Sequence, residues 1–472
     1  MPLESAPDFL ESRPYDEISI GDNASLVRTL RPEDVKLFAL ISGDMNPALA
    51  DTEFRQSGLF RDFIAHGMWS ASLLSTVLGT QFPGPGTVLI ESTLHFARPV
   101  TIGDTITVTV SVRQKFDHNQ HLVLDCTCVN QDGLLVVSGS AEVLAPREKI
   151  KARRTALPEI TIADKYARLQ ALVARAAGLE PIDMAVVHPC DRESLRGALL
   201  AADATLIRPL LIGPEQKIRA VAEENGFDLG THRIVNVKHS HDAAAMAVAL
   251  IRSGDVEALM KGSLHTDELM AEVVSRAAGL RTGRRISHVF LMDVPTYPRP
   301  IMITDAAINI SPTLLDKVDI IQNAIDLAHI IGTVEPKVAL LSAVETINPK
   351  IQSTLDAAAL CKMADRGQIK GGLLDGPLAF DNAVSLVAAK TKGIHSAVAG
   401  RADILVVPDL ESGNMIAKQL EYLANALSAG IVLGARAPIV LTSRADTAET
   451  RIASCVIAAL IAHANREKLT TS

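Results

Sequence analysis

The sequence predicts two folds in one chain: an α+β domain whose antiparallel strands wrap a helix, then a two-lobed α/β domain on a largely parallel sheet. Three observations carry this. The rhythm of apolar residues changes near residues 146 to 160. Before that point, runs rich in Val, Thr and Leu follow one another with turn residues between them, as antiparallel strands do. Beyond it, short Val/Ile/Leu runs alternate with helical stretches, the pattern of strands buried on both faces of a parallel sheet.

A chain of 472 residues exceeds what one hydrophobic core usually serves, so more than one domain is expected on length alone. The opening residues, MPLESAPDFLESRPYDE, carry acids and prolines where an export signal needs a basic start and an apolar stretch. The longest apolar run, Ile452 to Ala462, falls short of the roughly 20 residues of a membrane-spanning helix. A cytoplasmic protein without membrane contact is expected. The net charge of −8 leaves no basic face for nucleic acid. Five cysteines, odd in number and never spaced CxxC, suggest neither a disulfide framework nor a zinc site.

In the first domain, residues 1–145, a helical pattern spans Pro32 to Gly43 and an apolar helix follows His66. The strands read GTVLIESTLHFARPV, TITVTVSVRQKF, HLVLDCTCVN and LLVVSGSAEVLA. Residues 146–160 hold two prolines and alternating charges with no apolar period, and a solvated linker is expected there. Its basic cluster, Lys149, Lys151, Arg153 and Arg154, could instead touch an anionic ligand. In residues 161–472 the apolar runs are MAVVH, RPLLIG, EALMK, HVFLMD, PIMITD, KVALLS, GGLLD, DILVVPD and APIVLT.

Ligands of open parallel sheets bind beyond the carboxyl ends of the strands, so polar residues that follow apolar runs are the ones to collect. They include Lys261, Asp305, Asn309, Asp375, Asp381, Asn382, Asp409, Glu411, Asn414, Thr442, Ser443 and Arg444. Taken singly, each could be a helix cap. The chain has no G-x-G-x-x-G, G-x-x-x-x-G-K-[ST], G-x-S-x-G or H-E-x-x-H, which weakens dinucleotide, P-loop, hydrolase-elbow and zincin readings.

Seven ordered blocks then carry a resemblance: KGSLHTDELM, GLRTGRRISHVF, ITDAAINISPTLLDKVDIIQNAIDLAH, PKVALLSAVETINPK, KMADRGQIKGGLLDGPLAFDNAVS, VVPDLESGN and APIVLTSRADT. Together they resemble the phosphate acetyl/butyryltransferase family, nearest its butyryltransferase branch. The resemblance implies a two-lobed, isocitrate-dehydrogenase-like α/β fold and a homodimer or higher homo-oligomer. It also implies exchange of acyl-CoA plus phosphate for acyl phosphate plus CoA, with these as substrates and no permanently bound cofactor or metal.

Ser443 and Arg444 match the family's Ser-Arg pair. Arg444 would neutralise phosphate and Ser443 would hydrogen-bond the reacting thioester or oxyanion. A base must take the CoA thiol proton, whose ordinary pKa is roughly 8.5. The acetate-specific branch places an aspartate seven residues after the serine, where this chain has Thr450. Asp446 and Glu449 are the nearby candidates. Arg281 and Arg284 are candidate phosphate ligands, and Lys261 a candidate cation in the cleft.

The first domain resembles the MaoC-like, (R)-specific enoyl-CoA hydratases, whose hot-dog fold wraps a sheet around a helix. The matching blocks are ISGDMNPALAD, AHGMWSASLLSTVLG and GPGTVLIESTLHFARPVTIGDTITVTVSV. In the family pattern S-G-D-x-N-P-x-H-x-D, Ser42, Gly43, Asp44, Asn46, Pro47 and Asp51 are in register, but Leu49 occupies the histidine position. Leucine carries no proton, so weak or absent hydration is expected. The Gly67 amide, at the start of the apolar helix, could still hold a thioester oxygen, and His66 is more plausibly structural than acidic. Three alternatives stand beside an acyltransferase with a silent hot-dog domain: both sites active, a non-catalytic acyl-CoA sensor, and a decarboxylating dehydrogenase of related fold.

Overall fold

The computed structural model describes residues 8–44, 67–155, 167–443 and 446–471. It divides into two compact units, Met1–Ile162 and Ala163–Ser472.

In the first unit, α1 (Pro32–Ser42) begins with proline at its first position, where the missing N–H costs nothing, and Asp34 caps the Arg31 amide at 3.0 Å. It stops at Gly43, whose φ of 71° is left-handed. The apolar helix α2 (Gly67–Thr80) packs Trp69, Leu73, Leu74 and Val77 into a core with Val108, Val110, Leu124 and Cys126 of the sheet.

That sheet is antiparallel, in the order β2 (Asn23–Thr29), β4 (Thr105–Phe116), β5 (His121–Val129), β6 (Leu135–Leu144), β3 (Val88–Phe96). Burial alternates strictly along β5, which gives a one-sided sheet over a helix. At Gly139 a Cβ would lie 1.9 Å from the Thr93 carbonyl oxygen, so only glycine lets β3 and β6 approach here. A cavity of about 290 Å³ lies between α1, α2 and the sheet, lined by Phe38, Leu74, Leu78, Leu94, Cys126 and Ala141 among others.

The stretch expected as a solvated linker departs from that expectation at one point. Lys151–Arg153 forms β7, paired antiparallel with β1 (Phe9–Glu11), and Lys149 and Lys151 lie 3.2 and 2.8 Å from the Glu11 carboxylate. Backbone pairing with β1, the Ser12–Ile150 bonds and two charge pairs tie down this part of a segment that has no apolar period.

The second unit is built on one eleven-stranded sheet. Its first block is parallel: β10 (Arg233–Asn236), β9 (Ile207–Gly213), β8 (Ile182–Val187), β11 (Ala258–Lys261) and β18 (Ile439–Val440). Its second block is also parallel: β13 (Ile301–Thr304), β16 (Ile404–Val406), β14 (Lys337–Leu341) and β15 (Leu373–Leu378). Two antiparallel strands, β17 (Leu427–Leu433) and β12 (Ser287–Asp293), join them, so the blocks run in opposite directions.

One face carries a single continuous core. There Met184, Met260, Val289, Met302, Val338, Ile431 and Val440 meet α3 (Arg192–Asp203), α6 (Leu314–Ile330), α7 (Gln352–Asp365) and α9 (Ala448–Thr471). The other face carries two cores. Val187, Leu259, Val432 and Ile439 pack under α4 (Ser240–Ser253) and α5 (Thr266–Val274); Phe290, Ile303, Ala339 and Leu405 pack under α8 (Leu410–Leu423). The break between the cores is the division into two lobes. It falls where β17 meets β12, and His288 and Gly430 stand there between Val432 and Phe290.

Candidate active site

The opposed blocks decide which strand-end residues can meet. Lys261 and Ser443 follow β11 and β18 and belong to one edge of the sheet; Asp305 follows β13 and belongs to the other. The strand-end residues collected from the sequence therefore fall into two clusters, at opposite edges of the sheet. The physical reason is the antiparallel pair β17 and β12, which reverses the second block.

At the first edge, β18 leads into Leu441, Thr442 and Ser443. Ser443 is exposed, and its amide donates to Asp446 Oδ2 at 2.7 Å. Asp446 itself is buried, with 3% of its surface accessible. Among the described residues its Oδ1 has no hydrogen-bond partner, and Lys418 of α8 lies 3.9 Å from it. Burial pushes this carboxyl above the usual carboxylate range, opposed by the Ser443 amide and by the Lys418 and Arg451 charges. Glu449 is half-buried on the first turn of α9, and Thr450 is buried beside it.

Lys261 ends β11, next to β18, and is 3% exposed, an uncommon place for a lysine. Its Nζ donates to the Gly262 carbonyl at 3.4 Å. Arg444 lies outside the described residues.

At the opposite edge, Asp305 accepts from the amides of Ala307, Ile308 and Asn309 at 2.9, 3.0 and 3.2 Å, and from Asn309 Nδ2. Asn309 also donates to the Ile286 carbonyl at 2.9 Å and accepts from Arg285 Nε at 2.7 Å. These bonds close the loop after β13 on itself. Arg281 is exposed in an isolated bridge to Ala435, and Arg284 is paired with Asp326 of α6. Both precede β12, far along that strand from the Ser443 edge.

Asp375 belongs to the edge strand β15 and accepts from its neighbour's amide, Gly376, at 2.8 Å. Asn414 donates to the Ala306 carbonyl at 3.3 Å. Asp409 is the α8 cap, accepting from Ser412 N at 2.8 Å. Helix α8 thus links the two edges: Asn414 rests on the Asp305 loop, and Lys418, one turn further, reaches Asp446.

In the first unit, Asp44 is exposed just beyond α1, and Gly67 opens α2, where a Cβ would lie 3.4 Å from the Phe96 ring. Asn46, Pro47, Leu49, Asp51 and His66 lie outside the described residues.

Two residues at the Ser443 edge escape sequence reasoning. Lys418 sits in an amphipathic helix where a lysine reads as solvated. Arg451 closes the polar first turn of α9, ahead of the apolar run from Ile452, where an arginine reads as solvated. It is 1% exposed, donating from Nη1 to Thr442 Oγ1 at 2.6 Å and from Nη2 to the Ser443 carbonyl at 3.0 Å.

Comparison with known proteins adds the family. Residues 238–459 match the model described as Phosphate acetyl/butaryl transferase, and residues 19–128 match the MaoC like domain. A phosphate acetyltransferase of Rhizobium meliloti is 63% identical over 302 residues, 64% of this chain and 95% of that relative. A phosphate butyryltransferase of Clostridium beijerinckii is 40% identical over 295 residues, 62% of this chain and 98% of the relative. The crystal structure of a branched-chain phosphotransacylase from Enterococcus faecalis V583 superposes with a TM-score of 0.53 at 29% identity, covering 60% of this chain and 99% of that one. With its α/β sheet, its Ser443 turn and these relatives, the chain belongs to the phosphate acetyl/butyryl transferase family, fused behind a MaoC-like domain.

Proposed function

We propose that this chain is a phosphate acyltransferase that interconverts acyl-CoA plus phosphate with acyl phosphate plus CoA at the Ser443 edge. The observation that carries this reading is the Ser443 amide held by Asp446, a buried carboxyl raised by its surroundings and, among the described residues, partnered on one oxygen only. A carboxyl so placed is an effective acceptor for a thiol proton, because raising its pKa narrows the gap to the thiol.

In the direction of acyl-CoA synthesis, Asp446 takes the thiol proton and the thiolate sulfur attacks the acyl phosphate carbonyl. The C–S bond forms, the Ser443 hydroxyl stabilises the oxyanion, and collapse breaks the C–O bond to release phosphate to Arg444. Lys261, at the neighbouring strand end, adds positive charge for the phosphates of either substrate. Glu449 is the second candidate for the base. Asp305, Asn309 and Asn414 hold the opposite edge and orient α8; Arg281, Arg284 and Asp375 are assigned no contact with the reacting atoms.

In the first domain, Asp44, Asn46 and Gly67 are assigned to acyl-CoA binding with weak or absent hydration. The chain is further read as a cytoplasmic homo-oligomer of at least two copies. Among the described residues, no helix is long and apolar enough to cross a membrane.

The test is phosphate-dependent consumption of acetyl-, propionyl- and butyryl-CoA by the full chain, measured as a series. Activity should collapse by about 10²- to 10³-fold in Arg444→Ala, the scale of one lost stabilising donor. No turnover with any of the three would favour the sensor reading. Hydration of crotonyl-CoA should be negligible in the natural chain and rise in Leu49→His; robust hydration by the natural chain would restore the hot-dog domain as a second active site.

A further inference from the structure

Arg451 is costly where it stands. It heads the largest fully buried side chains among the described residues, and it forms no ion pair among them. Burying a guanidinium without a carboxylate partner costs several kcal/mol, and a well-packed apolar residue of similar size is often neutral or better at such a position. Packing alone gives no reason to keep it. Moreover, α3 supplies a glycine to make room: a Cβ on Gly197 would lie 2.5 Å from Arg451 Cδ and 3.0 Å from its Cβ. The donors are spent in one place, with Nη1 on Thr442 Oγ1, Nη2 on the Ser443 carbonyl, and Nε without a partner among the described residues.

We propose that Arg451 is a positioning residue for acyl transfer, fastening Thr442 and Ser443 from the face covered by α9. Two forked bonds to consecutive residues fix both the direction of the chain leaving β18 and the height of Ser443 above the sheet. The arginine stands one residue after Thr450, on the helix that follows Asp446, so a single element sets both the serine and the carboxyl.

Its charge also acts on Asp446, lowering the pKa that burial raises. The other groups facing that carboxyl are Lys418 and Glu421 of α8. Those facing Arg451 are Asp191 and Glu193 at the start of α3, Asp446, and Cys455 one turn further along α9. The pH arm of the test rests on Asp446 being the base.

The experiment compares Arg451→Met, Arg451→Lys, Gly197→Ala and Asp446→Asn in the full chain, with kcat and KM for acyl-CoA and phosphate across pH. In Arg451→Met, kcat should fall by about 10²-fold, the cost of an ångström-scale misplacement, with both KM values nearly unchanged. Its acid limb should move to higher pH, because the charge that lowers Asp446 is gone. Arg451→Lys should restore the limb but not the rate, since an ammonium cannot make the forked pair. Gly197→Ala should lower kcat without moving the limb. Where Arg451→Met does not fold, as read by circular dichroism, the lysine and Gly197 variants decide by the same readouts.

Natural kcat in a folded Arg451→Met, or full rescue of rate by lysine, would overturn the proposal. An acid limb that persists in Asp446→Asn would overturn the base assignment alone. The kcat-against-KM comparison would then still judge Arg451.

Discussion

Two buried aspartates at opposite edges of the same sheet have been treated differently by their surroundings. Asp305 and Asp446 are 2% and 3% exposed, and burial raises the pKa of both. Asp305 accepts three backbone amides and one side-chain amide, all from within four residues of itself. Among the described residues Asp446 accepts one amide, and its other oxygen has no hydrogen-bond partner, with Lys418 at 3.9 Å. A carboxylate whose lone pairs are filled by its own loop is a fastener. One left half-satisfied at a cost of about 1 to 3 kcal/mol keeps capacity for a proton or a substrate. Burial and a raised pKa are common to both aspartates; the hydrogen-bond count separates them.

The sharpest way to break the contrast is to make the same substitution at both. Asp446→Asn should lower kcat by about 10²- to 10⁴-fold, the usual worth of a general base, and leave the fold intact. It should also abolish the acid limb of the rate profile. That limb should lie above the ordinary carboxylate range near pH 4, because the active form is the ionised one and burial raises the pKa through which activity rises. Near-natural rates in this variant would transfer the role to Glu449.

Asp305→Asn should do less to the rate and more to the fold. Its amide would face the Ala307, Ile308 and Asn309 donors with an NH₂ group on one side, and a loss of about 1 to 3 kcal/mol of stability is expected. Denaturant titration measures it, with kcat taken well below the unfolding transition. A folded, stable and inactive Asp305→Asn would place that carboxylate in contact with substrate and erase the distinction.

Much of this was legible in the sequence, for reasons particular residues make plain. The runs MAVVH, EALMK, HVFLMD and APIVLT became β8, β11, β12 and β18 because uninterrupted Val/Ile/Leu/Met segments have no other way to be buried on both faces. What the pattern could not show was direction. The run LSAGIVL, diluted by Ser428 and Gly430, hides β17, the strand that turns the second block around. Without it, the direction of β13 relative to β18 cannot be read, nor that Asp305 and Ser443 lie at opposite edges. Arg451 was equally hidden, because a charged residue on a helix is normally solvated, and only the room left by Gly197 and the bonds to Thr442 and Ser443 explain its burial. Asp446 could be read from its nearness to Ser443, but not that it is more deeply buried than Glu449.

The smallest expected effect concerns Lys418, which connects the two aspartates through α8. Its side chain is 32% exposed, and at 3.9 Å from Asp446 its attraction is weakened by water. It also bonds Glu421 Oε2 at 2.9 Å, which divides its charge between two acids. Lys418→Met keeps the stem that packs along α8 and removes the charge. The charge favours the ionised carboxyl, so its loss should raise the pKa of Asp446 and carry the acid limb of kcat to higher pH by less than about one unit, with the rate at the optimum changed by less than about tenfold. Salt separates this from misfolding: added potassium chloride should move the natural limb toward the variant's and leave the variant's own limb in place. A limb that shifts to lower pH, or does not move at all, would mean that Lys418 serves α8 and Glu421 alone, leaving Asp446 to be tuned by burial and Arg451.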